Sequence, residues 1–370
     1  MKNTFGTSVS LTIFGESHGT AIGAVLDGMA PGIPIDEDFL AKRMALRRAA
    51  AEPSLSTARR EADKVRIVSG VYRGVTTGTP ITFLIENADT RSADYGKMGG
   101  ALRPGHADFT ASVKYHGHED ARGGGHFSGR ITAPLCAAGA LALTALSRLG
   151  IKIGTHIAAC GGISDRPFAE LCEDIDTLNA ASFAVLDAKK GEEMKTCIRA
   201  ARERGDSVGG VLETAVMGMP AGVGEPFFDT VESVISHILF AIPAVKGVEF
   251  GDGFALTAMN GSTANDAYYA ENGAVYTRTN HAGGILGGIT NGMPLIIRTA
   301  IKPTPSIYLP QETVSLPSLD ACTLQIEGRH DPAIVHRARA VADSAVALAL
   351  CDLLAMRYGT DYLTKGEANA

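Results

Sequence analysis

The sequence predicts an α+β fold, a single domain in which sheets and helices form layers. Strand-like and helix-like stretches mix along the chain without the strict alternation of a parallel β-α-β sheet. Neither G-x-x-x-x-G-K-S/T nor a G-x-G-x-x-G between a strand and a helix occurs, so nucleotide-binding folds lack their usual support. No linker, repeat or low-complexity segment divides the 370 residues, and a polar tail follows from about residue 358. Length alone would have allowed two or three domains.

In chain order, residues 8–14 and 22–27 read as strands flanking a Gly-Glu-Ser-His-Gly turn. Asp36 can cap a helix that carries Phe39, Leu40 and Met44 inward and ends at Arg47-Arg48. Residues 65–69 and 81–86 are β-rich runs joined through the turn-prone GVTTGTP. Residues 134–149 suit a helix closed by Gly150, and 192–204 a second closed by Gly205. Asp229 followed by Glu232 resembles a capping box for a helix through Phe240. Strand-like runs follow at 245–250 and 294–301, and a long helix fills roughly 333–357.

Hydrophobic residues are 45% and charged residues 20%, which excludes a disordered chain. A net charge of −6 disfavours nucleic acid as a partner, since that needs a basic face. The six cysteines stand singly with no C-x-x-C pair, so reduced thiols are expected rather than a zinc site or disulfides. The first 19 residues show no signal-peptide pattern. The apolar stretch 131–147 is short and Ala-rich, and suits a buried helix better than a membrane span. A cytoplasmic protein that binds no membrane is expected.

Chemistry concentrates in loops. RPGHADFT, residues 103–110, cannot continue a strand through Pro104-Gly105, so it presents Arg103, His106 and Asp108 on one turn. Arginine offers a planar fork to phosphate or carboxylate, and a neighbouring histidine can protonate a leaving oxygen. A surface turn with an Asp–Arg pair would use the same residues. In ARGGGHFSGR, residues 121–130, three glycines expose N–H groups that can cradle an anion, beside Arg122, His126, Ser128 and Arg130. A flexible linker is the bland alternative, but a hydrophobic helix follows at once and its N-terminus favours negative charge. FGESHG, residues 14–19, joins Ser17 to His18. Sequence neighbours rarely reach nucleophile–base geometry, so His18 fits a general acid or cofactor contact better than Ser17 fits a nucleophile.

EGRHDP, residues 327–332, sets Arg329 and Asp331 before the last helix, although Asp331 could simply be its N-cap and Pro332 part of its first turn. KPTPS, residues 302–306, is a rigid loop carrying a lysine, and NHAGGILGG, residues 280–288, is another Gly-rich turn. HGHED, residues 116–120, lacks the helical pair of a zinc site and reads as a solvated turn, so no metal is expected. Arginines recurring at these loops suit a substrate bearing phosphate and carboxylates. Arg47-Arg48 also fits the preference of cations for helix C-termini.

Taken together, FGESHG, DGMAPGIPI, SGVYRGVTTGTPI, RPGHAD, RGGG-x-x-S-x-R, PAGVGEP, AVKGVEFGDGF, NHAGGILGG, KPTPSI and GRHDP resemble chorismate synthase, in order from about residue 5 to 355. The resemblance implies a β-α-β sandwich, typically a homotetramer, and the last step of the shikimate pathway. There 5-enolpyruvylshikimate 3-phosphate loses phosphate and the C6 pro-R hydrogen in an anti 1,4-elimination. Reduced FMN is the implied cofactor, without net redox change, and NADPH enters at most as the source of reducing equivalents. The absence of a long insertion favours an external reductant.

By the same resemblance, His18 lies beside the flavin, His106 near the leaving phosphate, and Asp331 acts in removing the C6 proton. Arg48, Arg103, Ser128, Arg130 and Arg329 correspond to substrate-binding positions. Arg47, His126, Phe127, Ser128, Ala244, Gly287, Lys302, Pro303, Thr304, Pro305, Ser306 and Arg329 correspond to flavin-binding positions. The chain departs from the family pattern after Arg48, where Ala50, Ala51 and Glu52 replace a usual Pro-Gly-Arg. His126-Phe127 for Arg-Ser, and Pro243 for Asn, are variation seen in one branch of the family. Glu52 would repel a bound anion, so restoring Pro-Gly-Arg at 50–52 is expected to lower the Michaelis constant for substrate. Equal constants for the two forms would refute this. Two competing readings are a phospholyase or phosphatase needing no flavin, and a catalytically impaired flavin- or anion-binding homologue.

Overall fold

The computed structural model describes residues 2–48, 55, 63–87, 100–326 and 330–364. Two five-stranded antiparallel sheets enclose a layer of helices. The first sheet runs in the order 4–5, 10–15, 21–27, 81–86, 65–69, and the second 245–250, 295–301, 210–217, 152–160, 163–164. Between them lie helices Glu37–Arg47, Thr132–Arg148 and Val335–Tyr358, with Val231–Phe240 against the last. Helix Thr132–Arg148 packs on strands 21–27 and 81–86, and helix Val335–Tyr358 on strands 152–160 and 210–217. Helices Thr132–Arg148 and Val335–Tyr358 are buried nearly all round; the first is almost wholly apolar there, and the second carries charged residues inward that are hydrogen-bonded, Asp343 and Asp352 among them. The described stretch 129–148 is long and apolar enough to cross a membrane, but most of it is buried in this layer.

The two central helices approach closely where Gly139 meets Ser344: a Cβ on Gly139 would lie 2.1 Å from the Cβ of Ser344. Cys351 contacts the carbonyl of Ala142 further along both helices, so the helices run parallel and their N-termini share one end of the layer. Gly139→Ala is expected to cost about 1–3 kcal/mol by overpacking. Urea denaturation with an unchanged midpoint would contradict that close packing.

Polar groups also tie the layers. Asp343 of the C-terminal helix accepts from Arg43 at 2.6 Å and from Thr155 at 2.5 Å, and Thr155 contacts Thr214 at 2.7 Å. One buried carboxylate thus joins the first helix, the last helix and two strands. Burying these groups is tolerable because each is hydrogen-bonded.

Most elements fall where the sequence expects them, and the differences have local causes. Thr230, not Asp229, caps helix Val231–Phe240, its hydroxyl accepting from the Ser233 N–H. The helix expected from Glu192 begins at Ala188, because Asp187 accepts from the N–H groups of Lys189 and Lys190. The first helix buries Arg43, Met44 and Arg47, with Phe39 and Leu40 only half-buried. Strands 152–160 and 210–217, the middle of the second sheet, have no counterpart in the expected elements.

Candidate active site

The shared end of the central helices gathers the chemistry-bearing loops. The turn between strands 10–15 and 21–27 carries Ser17 and His18, both buried. Gly123, Gly124 and Gly125 follow with φ of 62°, 88° and 52°, which only glycine adopts in succession without strain. They act as a wedge. A Cβ at Gly123 would lie 2.5 Å from Cδ2 and Nε2 of His18, and one at Gly124 3.2 Å from Cε1 and Nε2 of His106. Two imidazoles therefore pack against consecutive residues, whose Cα atoms are about 3.8 Å apart. Ser17 donates its hydroxyl to the Arg122 carbonyl at 3.2 Å and its N–H to the Gly125 carbonyl at 3.1 Å. It pins the loop.

Each imidazole has an identifiable neighbour. His106 Nδ1 lies 2.8 Å from Asp108 Oδ1, and a carboxylate accepts, so Nδ1 carries the proton and Nε2 faces the glycines. Arg103 NH2 is 3.1 Å from the same Nδ1, but it already donates to Asp108 Oδ1 at 2.6 Å. The longer approach follows from two donors sharing one oxygen. Burial opposes ionisation of Asp108, yet hydrogen bonds from His106 and Arg103 hold its carboxyl far below the usual carboxylate range. RPGHADFT is thus no plain surface turn. Beside His18 stands Asp120, held low chiefly by its hydrogen bonds from Arg122, with a smaller pull from His18. His126 donates Nδ1–H to the Gly15 carbonyl at 2.8 Å, and Phe127 packs edge-on to Tyr115. Ser128 accepts from the Arg130 N–H at 3.3 Å.

Next to the wedge, Asp63 binds two buried guanidiniums, Arg47 at 2.5 Å and Arg130 through a short contact. Burial raises its pKa, and the two arginines overcome this and hold it below the ordinary value. Arg130 Nε also donates to Asn87, whose amide donates to the carbonyls of Glu16 and Gly19. Arg130 is thereby coupled to the His18 turn. Arg47 reaches both central helices: NH1 contacts the Gly129 carbonyl, and its own carbonyl accepts from Arg337 Nε at 2.9 Å. It is therefore more than a surface cation at a helix end.

Asp331 is not an N-cap, because the C-terminal helix starts at Val335 behind Ile334. Its carboxylate instead accepts from Arg337 NH1 at 2.6 Å. Lys302 donates Nζ to the Gly105 carbonyl, where Pro305 also packs, so the 302–306 loop lies on the Arg103–Asp108 loop. Ala244, at φ 75°, accepts from the Lys302 N–H at 2.9 Å. Gly287 is elsewhere. Its hairpin packs Gly288 on Thr230, the N-cap of helix Val231–Phe240, whereas Ala244 follows that helix's other end, about 15 Å along. Arg48 caps the first helix through its N–H to Met44. Arg329 and residues 50–52 lie outside the described residues.

Sequence reasoning missed Asp63, Asn87 and Arg337, which orient the expected arginines and Asp331. It also passed over His330 inside a quoted motif.

A family model described as chorismate synthase matches residues 9–355. The chain belongs to the chorismate synthase family. A chorismate synthase of Pyrococcus abyssi is 45% identical over 352 residues, covering 95% of this chain and 97% of the relative. One of Dehalococcoides mccartyi is 43% identical over 362 residues, covering 97% and 98%. A chorismate synthase crystal structure superposes with a TM-score of 0.74 at 27% identity, covering 96% of this chain and 94% of that one. The chain is accordingly an enzyme, a lyase of aromatic biosynthesis, and its β-α-β layering is that of the chorismate synthase fold. A flavin cofactor belongs to the family in general. The residues fit one: Thr304 Oγ1, in the loop that lies on the Arg103–Asp108 turn, is buried with no hydrogen-bond partner among the described residues.

Proposed function

We propose that the chain converts 5-enolpyruvylshikimate 3-phosphate to chorismate by anti 1,4-elimination of phosphate and the C6 pro-R hydrogen, with reduced FMN bound. The observation that carries this is the packing of His18 and His106 against consecutive glycines, among Arg47, Arg103 and Arg130. Two proton-handling imidazoles beside guanidiniums suit departure of a phosphate from a multiply anionic substrate.

Arg48, Arg103, Ser128, Arg130 and Arg329 hold the phosphate and carboxylates. Asp108 accepts from His106 Nδ1–H, and when the ring also carries a proton on Nε2, that second proton can pass to the leaving phosphate and leave Nδ1–H on Asp108. Asp331 takes the C6 proton, with Arg337 orienting its carboxylate. His18 manages a proton at the cofactor side. Arg47, His126, Phe127, Ser128, Ala244, Arg329 and the loop Lys302, Pro303, Thr304, Pro305, Ser306 hold FMN, and Gly287 is left out because its hairpin lies at the far end of helix Val231–Phe240. When bound, reduced flavin lends electron density to the substrate and recovers it, leaving no net redox change. We extend the reading to a cytoplasmic homotetramer of single-domain subunits, with NADPH or another external reductant supplying the electrons.

The test is an anaerobic turnover assay with and without reduced FMN. Chorismate is expected only with the reduced flavin, and equal formation without it would end this reading.

A further inference from the structure

His330 sits between residues already assigned, yet nothing so far uses it. Its Nε2 is buried and has no hydrogen-bond partner among the described residues. A buried polar nitrogen left unpaired is costly, so it marks a place where something polar belongs. Its surroundings say what. On one side Asp331 follows it directly, and the charge of Arg103 acts on it as well. On another, the Tyr308 ring packs edge-on at 5.3 Å, at the end of the loop that begins with Lys302. Tyr308 is itself fixed by its N–H to the Gly205 carbonyl at 2.9 Å.

Burial lowers the pKa of His330; Asp331 opposes that and Arg103 reinforces it, so the ring stays neutral at neutral pH. A neutral imidazole carries one N–H, and the phosphate and carboxylates of the proposed substrate offer acceptor oxygens to it. We infer that His330 is a substrate-positioning residue that donates Nε2–H to a phosphate or carboxylate oxygen of the bound substrate. The inference rests on the proposed reaction and adds to it a neutral donor beside the charged ones. A neutral donor fixes orientation without adding to the positive field that a departing phosphate must leave.

The test compares His330→Phe, His330→Gln and His330→Asn with the unaltered protein. Calorimetry measures 5-enolpyruvylshikimate 3-phosphate binding to protein saturated with oxidised FMN, anaerobic assays give KM and kcat, and fluorescence gives FMN affinity. His330→Phe should weaken substrate binding about tenfold or more, the scale of one hydrogen bond to a charged group, and leave FMN affinity nearly unchanged. A glutamine amide reaches the position of Nε2, so His330→Gln should recover most of the affinity. An asparagine amide reaches only Nδ1, so His330→Asn should not. If His330→Phe does not fold, the contrast between glutamine and asparagine decides. Unchanged substrate affinity in His330→Phe, equal affinities for the Gln and Asn variants, or a loss confined to FMN binding would each overturn the inference. Failure of the unaltered protein to bind the substrate would instead overturn the proposed reaction, and this inference with it.

Discussion

His106→Ala is expected to lower kcat by a factor on the order of 10²–10⁴, the usual contribution of a positioned general acid. KM and the thermal midpoint should change little. The imidazole is half-buried at the surface of the glycine wedge, and its loop is anchored independently. Arg103 binds Asp108 through Nε and NH2, and Lys302 holds the Gly105 carbonyl. Asp108→Asn sharpens the test. The asparagine amide can donate to Nδ1 and would then stabilise the tautomer with the proton on Nε2 and no carboxylate behind it. Turnover should again fall, with folding intact. Single-turnover kinetics under anaerobic conditions separate this step from binding. Retention of more than about one-tenth of the rate in His106→Ala would show that the leaving phosphate draws its proton elsewhere.

His106 was legible because everything that orients it lies within six residues, in one turn broken by Pro104-Gly105. The same holds for the glycine run, whose conformation is written in its composition. Helix ends were readable at Asp36 and Gly150, whereas the equally local caps Asp187 and Thr230 were passed over for neighbouring residues. The middle of the second sheet was not. Strand 152–160 places Thr155 and His156 among its apolar residues, and strand 210–217 places Glu213 and Thr214. These polar residues pair across the strands, His156 with Glu213 at 3.0 Å and Thr155 with Thr214 at 2.7 Å. The alternation that identifies a strand is thereby lost, because what stabilises these positions is a partner about sixty residues away. Arginines could be picked out as anion ligands, but not which carboxylate would orient each. Arg130 meets Asp63 across 67 positions and Asn87 across 43. Local patterns therefore picked out the candidate groups, and tertiary contacts decided which groups stand behind them.

Asp63→Ala is expected to remove about 3–5 kcal/mol of folding stability, the cost of stripping the partner from buried charge. The expectation follows from how one carboxylate is shared. Arg47 and Arg130 are both nearly inaccessible and both bind Asp63, so its loss leaves two guanidiniums facing each other with little water to screen them. Part of that loss should be recoverable. Arg47→Met in the Asp63→Ala background removes one charge and keeps an apolar stem of similar length, so stability should rise again while turnover stays low. Acid titration gives an independent measure. The pKa of Asp63 is depressed in the folded protein, so its contribution is complete above the unfolded carboxylate value near about 3.9 and is lost as pH falls toward the lower folded value. The unaltered protein should therefore lose stability between about pH 5 and its acid transition more steeply than Asp63→Ala does. Denaturant melts at several pH values test both statements. A cost below about 1 kcal/mol, or parallel acid limbs for the two proteins, would mean that the arginines are held by other groups and that Asp63 does not organise the anion side of the site.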